Sequence, residues 1–128
     1  MKIEHVAFNV EDPAAVSQWY VENLGFKLKR KSDGHPFAHF LADDSGTVMI
    51  EIYGNREVPV PEYREMHPLI LHLALLSCDV DADIGRLMSA GAVQVGETQS
   101  TPQGDQLALL RDPWGFAIQL VKRGVPMV

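Results

Sequence analysis

The hydrophobic positions of the chain form two similar series, and each series predicts one strand, one helix and three further strands. Residues Lys2 to Val10 alternate between apolar and polar side chains, as expected for a strand with one buried face. Residues Leu69 to Leu76 begin the second series in a comparable way. Three pairs recur at a nearly constant offset: His5 and His72, Asp44 and Asp112, and Glu51 and Gln119. The chain is therefore predicted to contain a degenerate internal repeat.

An amphipathic helix is predicted after the first strand of each series. Asp12 is a suitable N-cap, Pro13 suits the first helical position, and Gly25 predicts the end of the helix. The apolar residues between these signals recur at helical spacing: Val16, Trp19, Tyr20 and Leu24. The second series repeats the stripe and the end signal with Ile84, Leu87, Met88 and Gly91. Both stripes are interpreted as core packing.

Three strand-like segments follow each helix, separated by turns rich in Asp, Gly and Pro. The first series predicts strands at Phe26–Lys31, Pro36–Ala42 and Thr47–Tyr53, and the second at Ala92–Glu97, Asp105–Arg111 and Phe116–Lys122. The proline-bearing segment 55–68 is predicted to connect them. The predicted fold class is α+β, a single domain over residues 1–128 that contains two tandem βαβββ modules, about 1–54 and about 69–123.

Composition and charge narrow the classes of function. A chain of 128 residues with 46% hydrophobic residues can bury one core. A single cysteine excludes an internal disulfide framework and favours a reducing compartment. The net charge of −6, without a basic cluster, argues against nucleic acid or an anionic membrane as a partner. With no bilayer-spanning apolar run and no visible secretory signal, a cytoplasmic location is expected.

Four polar residues at matching positions of the two series are candidates for metal binding. His5 and His72 lie in the first strand of each series, and Glu51 and Gln119 lie in the last. Each one alone is readily explained as a hydrogen-bonded core residue, because a buried polar group needs a partner. Together, two imidazoles, a carboxylate and an amide oxygen could bind zinc, nickel, iron or cobalt. The sequence therefore predicts a site for a divalent metal ion.

Three further residues are predicted to bind substrate. Met49 and Tyr53 share the face of Glu51 by strand alternation, and His39 lies on an inner strand of the same module. Glu51 is the only predicted ligand that could also move a proton near neutral pH, because an amide cannot act as a general base. Glu51 is therefore the candidate catalytic residue.

The order and spacing of several stretches resemble the vicinal oxygen chelate superfamily, also called the glyoxalase, bleomycin-resistance and dioxygenase superfamily. The stretches are Ile3–Val10, Trp19–Phe26, Met49–Ile52 and Asp112–Leu120. The resemblance implies paired βαβββ modules that form a curved mixed sheet around a cleft. It also implies metal ligands on the first and last strands of each module, at the positions of His5, Glu51, His72 and Gln119, and a homodimer.

The resemblance implies more than one activity. Lactoylglutathione lyases of the family usually have glutamate at the position of Gln119, whereas the carboxylate of this chain is Glu51, in the first module. We expect a metal-dependent lyase or isomerase that acts on a small oxygen-chelating substrate through a metal-stabilised enolate. One alternative is an iron-dependent ring-cleaving dioxygenase that uses His5, His72 and Glu51. The other is a metal-free protein that binds a small molecule such as an antibiotic.

Overall fold

The chain divides into two compact units, each with one helix and one four-stranded sheet. The structure is a computed structural model that describes residues 1–127. Unit 1 is Met1–Pro61, and unit 2 begins at Glu62. This boundary falls within the predicted connecting segment 55–68.

Both units have the same order of elements. Unit 1 contains β1 (His5–Asn9), α1 (Pro13–Leu24), β2 (Lys27–Lys31), β3 (His39–Ala42) and β4 (Met49–Tyr53). Unit 2 contains β5 (Leu73–Leu76), α2 (Val80–Ser89), β6 (Val93–Ser100), β7 (Gln106–Arg111) and β8 (Ala117–Lys122). The sheets have the orders β1-β4-β3-β2 and β5-β8-β7-β6. The first pair in each order is parallel and the others are antiparallel. The predicted α+β class with two βαβββ modules is confirmed.

The register of the parallel strands shows that the repeat is structural. Ala7 lies opposite Glu51 in unit 1, and Ala74 lies opposite Gln119 in unit 2. Each alanine follows a histidine by two positions, so His5 and His72 have equivalent places relative to the last strand of their unit. The repeat is therefore conserved in hydrogen-bonding register as well as in element order.

The signals that predict the first helix act at its ends. The Asp12 carboxylate accepts a hydrogen bond from the backbone N–H of Ala15 at 3.0 Å, and Pro13 is the first helical residue. Gly25 ends the helix in the left-handed region, with φ of 74°. That conformation is open to glycine because it lacks a Cβ atom. In unit 2, Asp79 caps α2 in the same way, through Ala82.

The core of each unit lies between its helix and one face of its sheet. In unit 1, Leu41, Ile50 and Ile52 are buried on the face that packs against α1. In unit 2, Leu110 and Ile118 are fully buried and occupy the corresponding face. On the opposite face of β4, Met49, Glu51 and Tyr53 are only partly buried. Strand alternation thus separates packing residues from the residues that are open to a ligand.

Two of the predicted strands are shorter than expected because turns replace their first residues. Phe37 has a positive φ of 56° and its N–H donates to the Gly34 carbonyl, so the chain turns before β3 begins. Leu69, Ile70 and Leu71 form a turn before β5, in which the Ile70 N–H donates to the His67 carbonyl. His72 consequently lies just before β5 rather than within it, and His5 is the first residue of β1.

Asp105 stabilises the end of unit 2 by binding two groups of the segment that follows β8. Its carboxylate accepts from the Gly124 N–H at 2.9 Å and from Arg123 Nη1 at 2.7 Å. The Gly124 N–H and then the Arg123 bond lower the pKa of Asp105 below its ordinary value of 3.8. Because the native pKa is the lower one, ionised Asp105 favours the folded state.

We expect Asp105→Asn to remove a pH-dependent part of the stability. The wild-type advantage should be present in full above the ordinary pKa of 3.8. It should be lost as the pH falls through the lower native pKa. Urea unfolding at about pH 7 and about pH 2.5 gives the free energy of unfolding of wild type and of Asp105→Asn. The difference between these two free energies should be smaller at about pH 2.5 than at about pH 7. If the free energies of unfolding of wild type and Asp105→Asn differed by the same amount at both pH values, ionised Asp105 would not be the source of the pH-dependent stability.

Candidate functional site

The structure brings two of the predicted metal ligands together in unit 1. His5 begins β1 and Glu51 lies in the middle of the parallel neighbour β4, on the same face of the sheet. The distance from His5 Nε2 to Glu51 Oε2 is 3.3 Å. The side chains are 35% and 19% exposed, so both are accessible from solvent while Glu51 is the more enclosed.

This distance fits two donors that share one metal ion. A nitrogen and an oxygen ligand that each lie about 2.0–2.2 Å from zinc, at tetrahedral or octahedral angles, are about 3.0–3.4 Å apart. Imidazole and carboxylate also suit nickel, cobalt and ferrous iron. The pair in unit 1 is therefore suited in distance and donor chemistry to supply two ligands.

The second ring nitrogen of His5 also has a carboxylate partner. His5 Nδ1 pairs with Oε2 of Glu4, the preceding residue. The hydrogen bond with Glu4 raises the pKa of His5 above 6.5; partial desolvation opposes this rise, and the charges of Glu4 and Glu51 add to it. His5 thus lies between two carboxylates, one at each ring nitrogen.

In unit 2, His72 is held by the backbone at the corresponding atom. Its Nδ1 lies 3.0 Å from the Pro68 carbonyl oxygen. A carbonyl only accepts hydrogen bonds, so Nδ1 is the protonated nitrogen of this pair and Nε2 of the neutral ring keeps its lone pair. Gln119 is partly buried on β8, opposite Ala74, and His72 lies two residues before Ala74, just ahead of β5.

The full four-residue ligand set stays a prediction. Within residues 1–127, no three His, Cys, Asp or Glu side chains lie close enough together to hold a metal ion. Unit 1 supplies the convergent pair His5 and Glu51. In unit 2, Gln119 has the register position of Glu51, and His72 precedes its partner Ala74 by two residues.

The predicted substrate-binding residues lie on different faces of the unit 1 sheet. Met49 and Tyr53 share the face of Glu51, with Met49 directly opposite His5. His39 lies opposite Ile52, on the other face, and its Nδ1 pairs with the Phe37 carbonyl oxygen at 2.7 Å. The structure therefore does not bring His39 to Glu51.

Phe40 occupies the place beside the pair where His39 was expected. It lies opposite Glu51 in the register of β3 and β4, and its ring contacts the His5 ring edge-on at 5.5 Å between centroids. Alternation along residues 37–41 shows that His39 and Phe40 lie on opposite faces, but only the pairing with β4 shows which of them faces Glu51. Phe40 and Glu4 are the two neighbours of His5 that sequence reasoning missed.

A pocket in unit 2 lies apart from these residues. It has a volume of about 620 Å³ and is formed where β5 and β8 end, with Leu76, Val121 and Met127 in its wall. None of the four predicted ligands lines it. The pair His5 and Glu51 is therefore separate from this pocket.

A family model decides which family this is. The model described as the Glyoxalase/Bleomycin resistance protein/Dioxygenase superfamily matches residues 2–120. The chain belongs to this superfamily. The family resemblance inferred from the sequence is thereby confirmed, together with the fold. No match was found among curated proteins.

Solved structures of the superfamily have the same fold over nearly the whole chain. A glyoxalase family protein from Bacillus cereus is 18% identical with a TM-score of 0.82, over 96% of this chain and 94% of that one. TnmS3, an antibiotic-binding protein from Streptomyces sp. CB03234, is 25% identical with a TM-score of 0.73, over 96% of both chains. A glyoxalase/bleomycin resistance protein from the same strain is 26% identical with a TM-score of 0.66, over 93% of this chain and 98% of that one.

Membership in the superfamily leaves the activity open. Its name covers glyoxalases, resistance proteins and dioxygenases, and a shared fold does not imply a shared function.

No helix among residues 1–127 is both long enough and apolar enough to cross a membrane.

Proposed function

We propose that this superfamily member is a metal-dependent lyase or isomerase that acts on a small oxygen-chelating substrate. The metal ligands in this proposal are His5, Glu51, His72 and Gln119. The observation that carries it is the 3.3 Å approach of His5 Nε2 to Glu51 Oε2. The recurrence in unit 2 supports it: Gln119 has the register position of Glu51, and His72 lies two residues before the strand partner of Gln119, as His5 does for Glu51.

Glu51 is the proposed catalytic residue. A divalent metal held by these residues supplies Lewis acidity toward adjacent oxygens of a substrate. In this proposal the Glu51 carboxylate, 19% exposed, would accept a proton from a carbon beside such an oxygen and return it. Gln119 cannot do this because an amide does not ionise near neutral pH. The Phe40 ring restricts the movement of His5 from one side.

We expect protein purified from cells and then loaded with zinc, nickel, cobalt or ferrous iron to bind close to one metal ion per chain. His5→Ala and Glu51→Ala should each weaken binding more than about 100-fold, since residues that only support a ligand already account for about 10–100-fold. Elemental analysis and calorimetric titration measure this. His35→Ala, at an exposed loop histidine of the same unit, is the matched control and should bind like wild type.

Wild-type protein that takes up none of these four metals would overturn the proposal. With metal bound, exchange of a substrate proton without oxygen uptake supports the lyase or isomerase. Oxygen consumption with a catechol would instead indicate the dioxygenase alternative, in which His5, His72 and Glu51 bind iron.

A metal-free binding protein is the second candidate, favoured by the 25% identity to the antibiotic-binding protein TnmS3 over 96% of both chains. In this case chelator-treated protein should bind an antibiotic such as bleomycin, and His5→Ala should bind it as well. Loss of binding on removal of metal would exclude this candidate.

The expected homodimer stays a prediction. Light scattering tests it as a doubling of the 14.2 kDa chain mass.

A further inference from the structure

We propose that Glu4 is a positioning residue that orients His5 as a metal ligand. This inference rests on the proposed function of the His5 and Glu51 pair. Glu4 immediately precedes β1, and its side chain is 67% exposed. Nothing in the sequence pattern distinguishes it from an ordinary solvated carboxylate. Its role follows from the atom of His5 that it contacts.

Glu4 and Glu51 bind opposite nitrogens of the same ring. Glu4 Oε2 pairs with Nδ1, while Nε2 faces Glu51 Oε2 at 3.3 Å. An ionised carboxylate only accepts hydrogen bonds, so a neutral ring bound to Glu4 carries its hydrogen on Nδ1 and keeps its lone pair on Nε2. Without a metal, Glu51 competes as an acceptor at Nε2, but Glu4 is the closer partner. Glu4 therefore favours the tautomer that leaves Nε2 free for a metal on the Glu51 side.

His5 needs such a restraint because packing fixes it weakly. Its side chain is 35% exposed, and its described ring contact is the edge-on approach of Phe40. The backbone of Glu4 is itself held, since its carbonyl accepts from the Met49 N–H at 3.1 Å. Met49 belongs to β4, the strand that carries Glu51. The carboxylate that orients His5 is therefore anchored to the strand that supplies the neighbouring ligand.

The equivalent histidine of unit 2 has the same restraint from a different group. The Pro68 carbonyl accepts from His72 Nδ1 at 3.0 Å. Both predicted histidine ligands thus have an oxygen acceptor at Nδ1, which leaves Nε2 for the metal. A carboxylate is the stronger acceptor because it is charged. Unlike a backbone carbonyl, it can be removed by substitution, so the restraint on His5 can be tested by itself.

Cobalt(II) alone is the probe, titrated into the metal-free full chain. Glu4→Ala should weaken cobalt binding by about 10–100-fold, the range expected for a group that supports a ligand. It should also shift the visible absorption of the bound cobalt. Glu4→Gln should restore most of the affinity, because its amide oxygen can accept the same hydrogen bond. Glu57→Ala removes an exposed carboxylate of the same unit and should behave like wild type.

Long-range proton–nitrogen NMR of the His5 ring in metal-free protein tests the orientation without metal. At about pH 9, where imidazole is neutral, wild type should hold the hydrogen on Nδ1 and Glu4→Ala should show a mixture of tautomers. Equal tautomers and equal cobalt affinity in wild type and Glu4→Ala would overturn the role of Glu4. A glutamine variant as weak as the alanine variant would overturn it too. A wild-type ring fixed as expected, in a protein that binds no cobalt, would instead overturn the proposed function.

Discussion

Gly115→Ala should destabilise the protein by about 2–4 kcal/mol. Gly115 has φ of +96°, in the region that side chains rarely adopt. A Cβ atom built there lies 2.8 Å from Arg64 Cβ and 2.9 Å from Arg64 Cα and N. The backbone of Arg64 cannot rotate away as the end of a flexible side chain could. Strain in the turn and the overlap with Arg64 therefore act together.

Urea unfolding followed by far-ultraviolet circular dichroism measures this loss. The matched control is Gly85→Ala in α2, where an added Cβ meets no atom within 4 Å. Alanine at such a helical position should stabilise the protein by about 0.5–1 kcal/mol. A loss of less than about 1 kcal/mol for Gly115→Ala would show that the turn relaxes and that its close approach to Arg64 is not required.

Arg111→Ala should cost about 2–3 kcal/mol, because it removes three hydrogen bonds from one charged group. Arg111 Nη1 donates to the carbonyls of Tyr63 and Gly115, both at 2.8 Å, and Nη2 donates to Met66 at 2.7 Å. The guanidinium thereby connects the segment before β5 to the turn between β7 and β8. The expected loss is smaller than the summed contributions of three hydrogen bonds, because Arg111 is only partly buried and water can replace some of its bonds.

The shape of the guanidinium group gives this prediction a second test. Lysine keeps the charge but has one nitrogen instead of a planar fork, so Arg111→Lys should recover only part of the stability. Arg30→Ala, at an exposed arginine of β2, should change the free energy of unfolding by less than about 0.5 kcal/mol. Equal stability of Arg111→Ala and Arg30→Ala would contradict the bridging role.

We also expect Arg111→Ala to weaken metal binding at the candidate site. Met66, one of its acceptors, lies two residues before Pro68, whose carbonyl accepts from His72. Release of Met66 should loosen the turn that carries this acceptor. Metal binding by Arg111→Ala should therefore fall by more than its loss of stability explains, a difference that calorimetric titration at low temperature can detect.

The predictions that held depend on signals close together in the chain. Asp12, Pro13 and Gly25 act within one helix, since a cap binds a backbone group three residues away. The faces of β1 and β4 followed from alternation, because successive side chains of a strand point to opposite sides. The equivalence of His5 and His72 required only that two stretches recur in the same order.

The predictions that changed depend on the pairing of distant segments. The choice between His39 and Phe40 requires the register of β3 against β4, and a shift of one residue exchanges the two faces. Leu69 to Leu71 have the composition of a strand, yet they form a turn after Pro68, so β5 begins later than expected.

The sequence by itself determined the element order, the ends of the first helix, the family resemblance and the recurrence of four polar residues in the same order in the two units. Short-range capping and the periodicity of buried side chains account for these, and both are written in consecutive residues. Only the tertiary structure decided that His5 Nε2 meets Glu51, that Glu4 binds its other nitrogen, and that Phe40 lies beside the pair. Strand register depends on contacts between residues far apart in the chain, and the orientation of the His5 ring depends on side-chain contacts that no local pattern specifies.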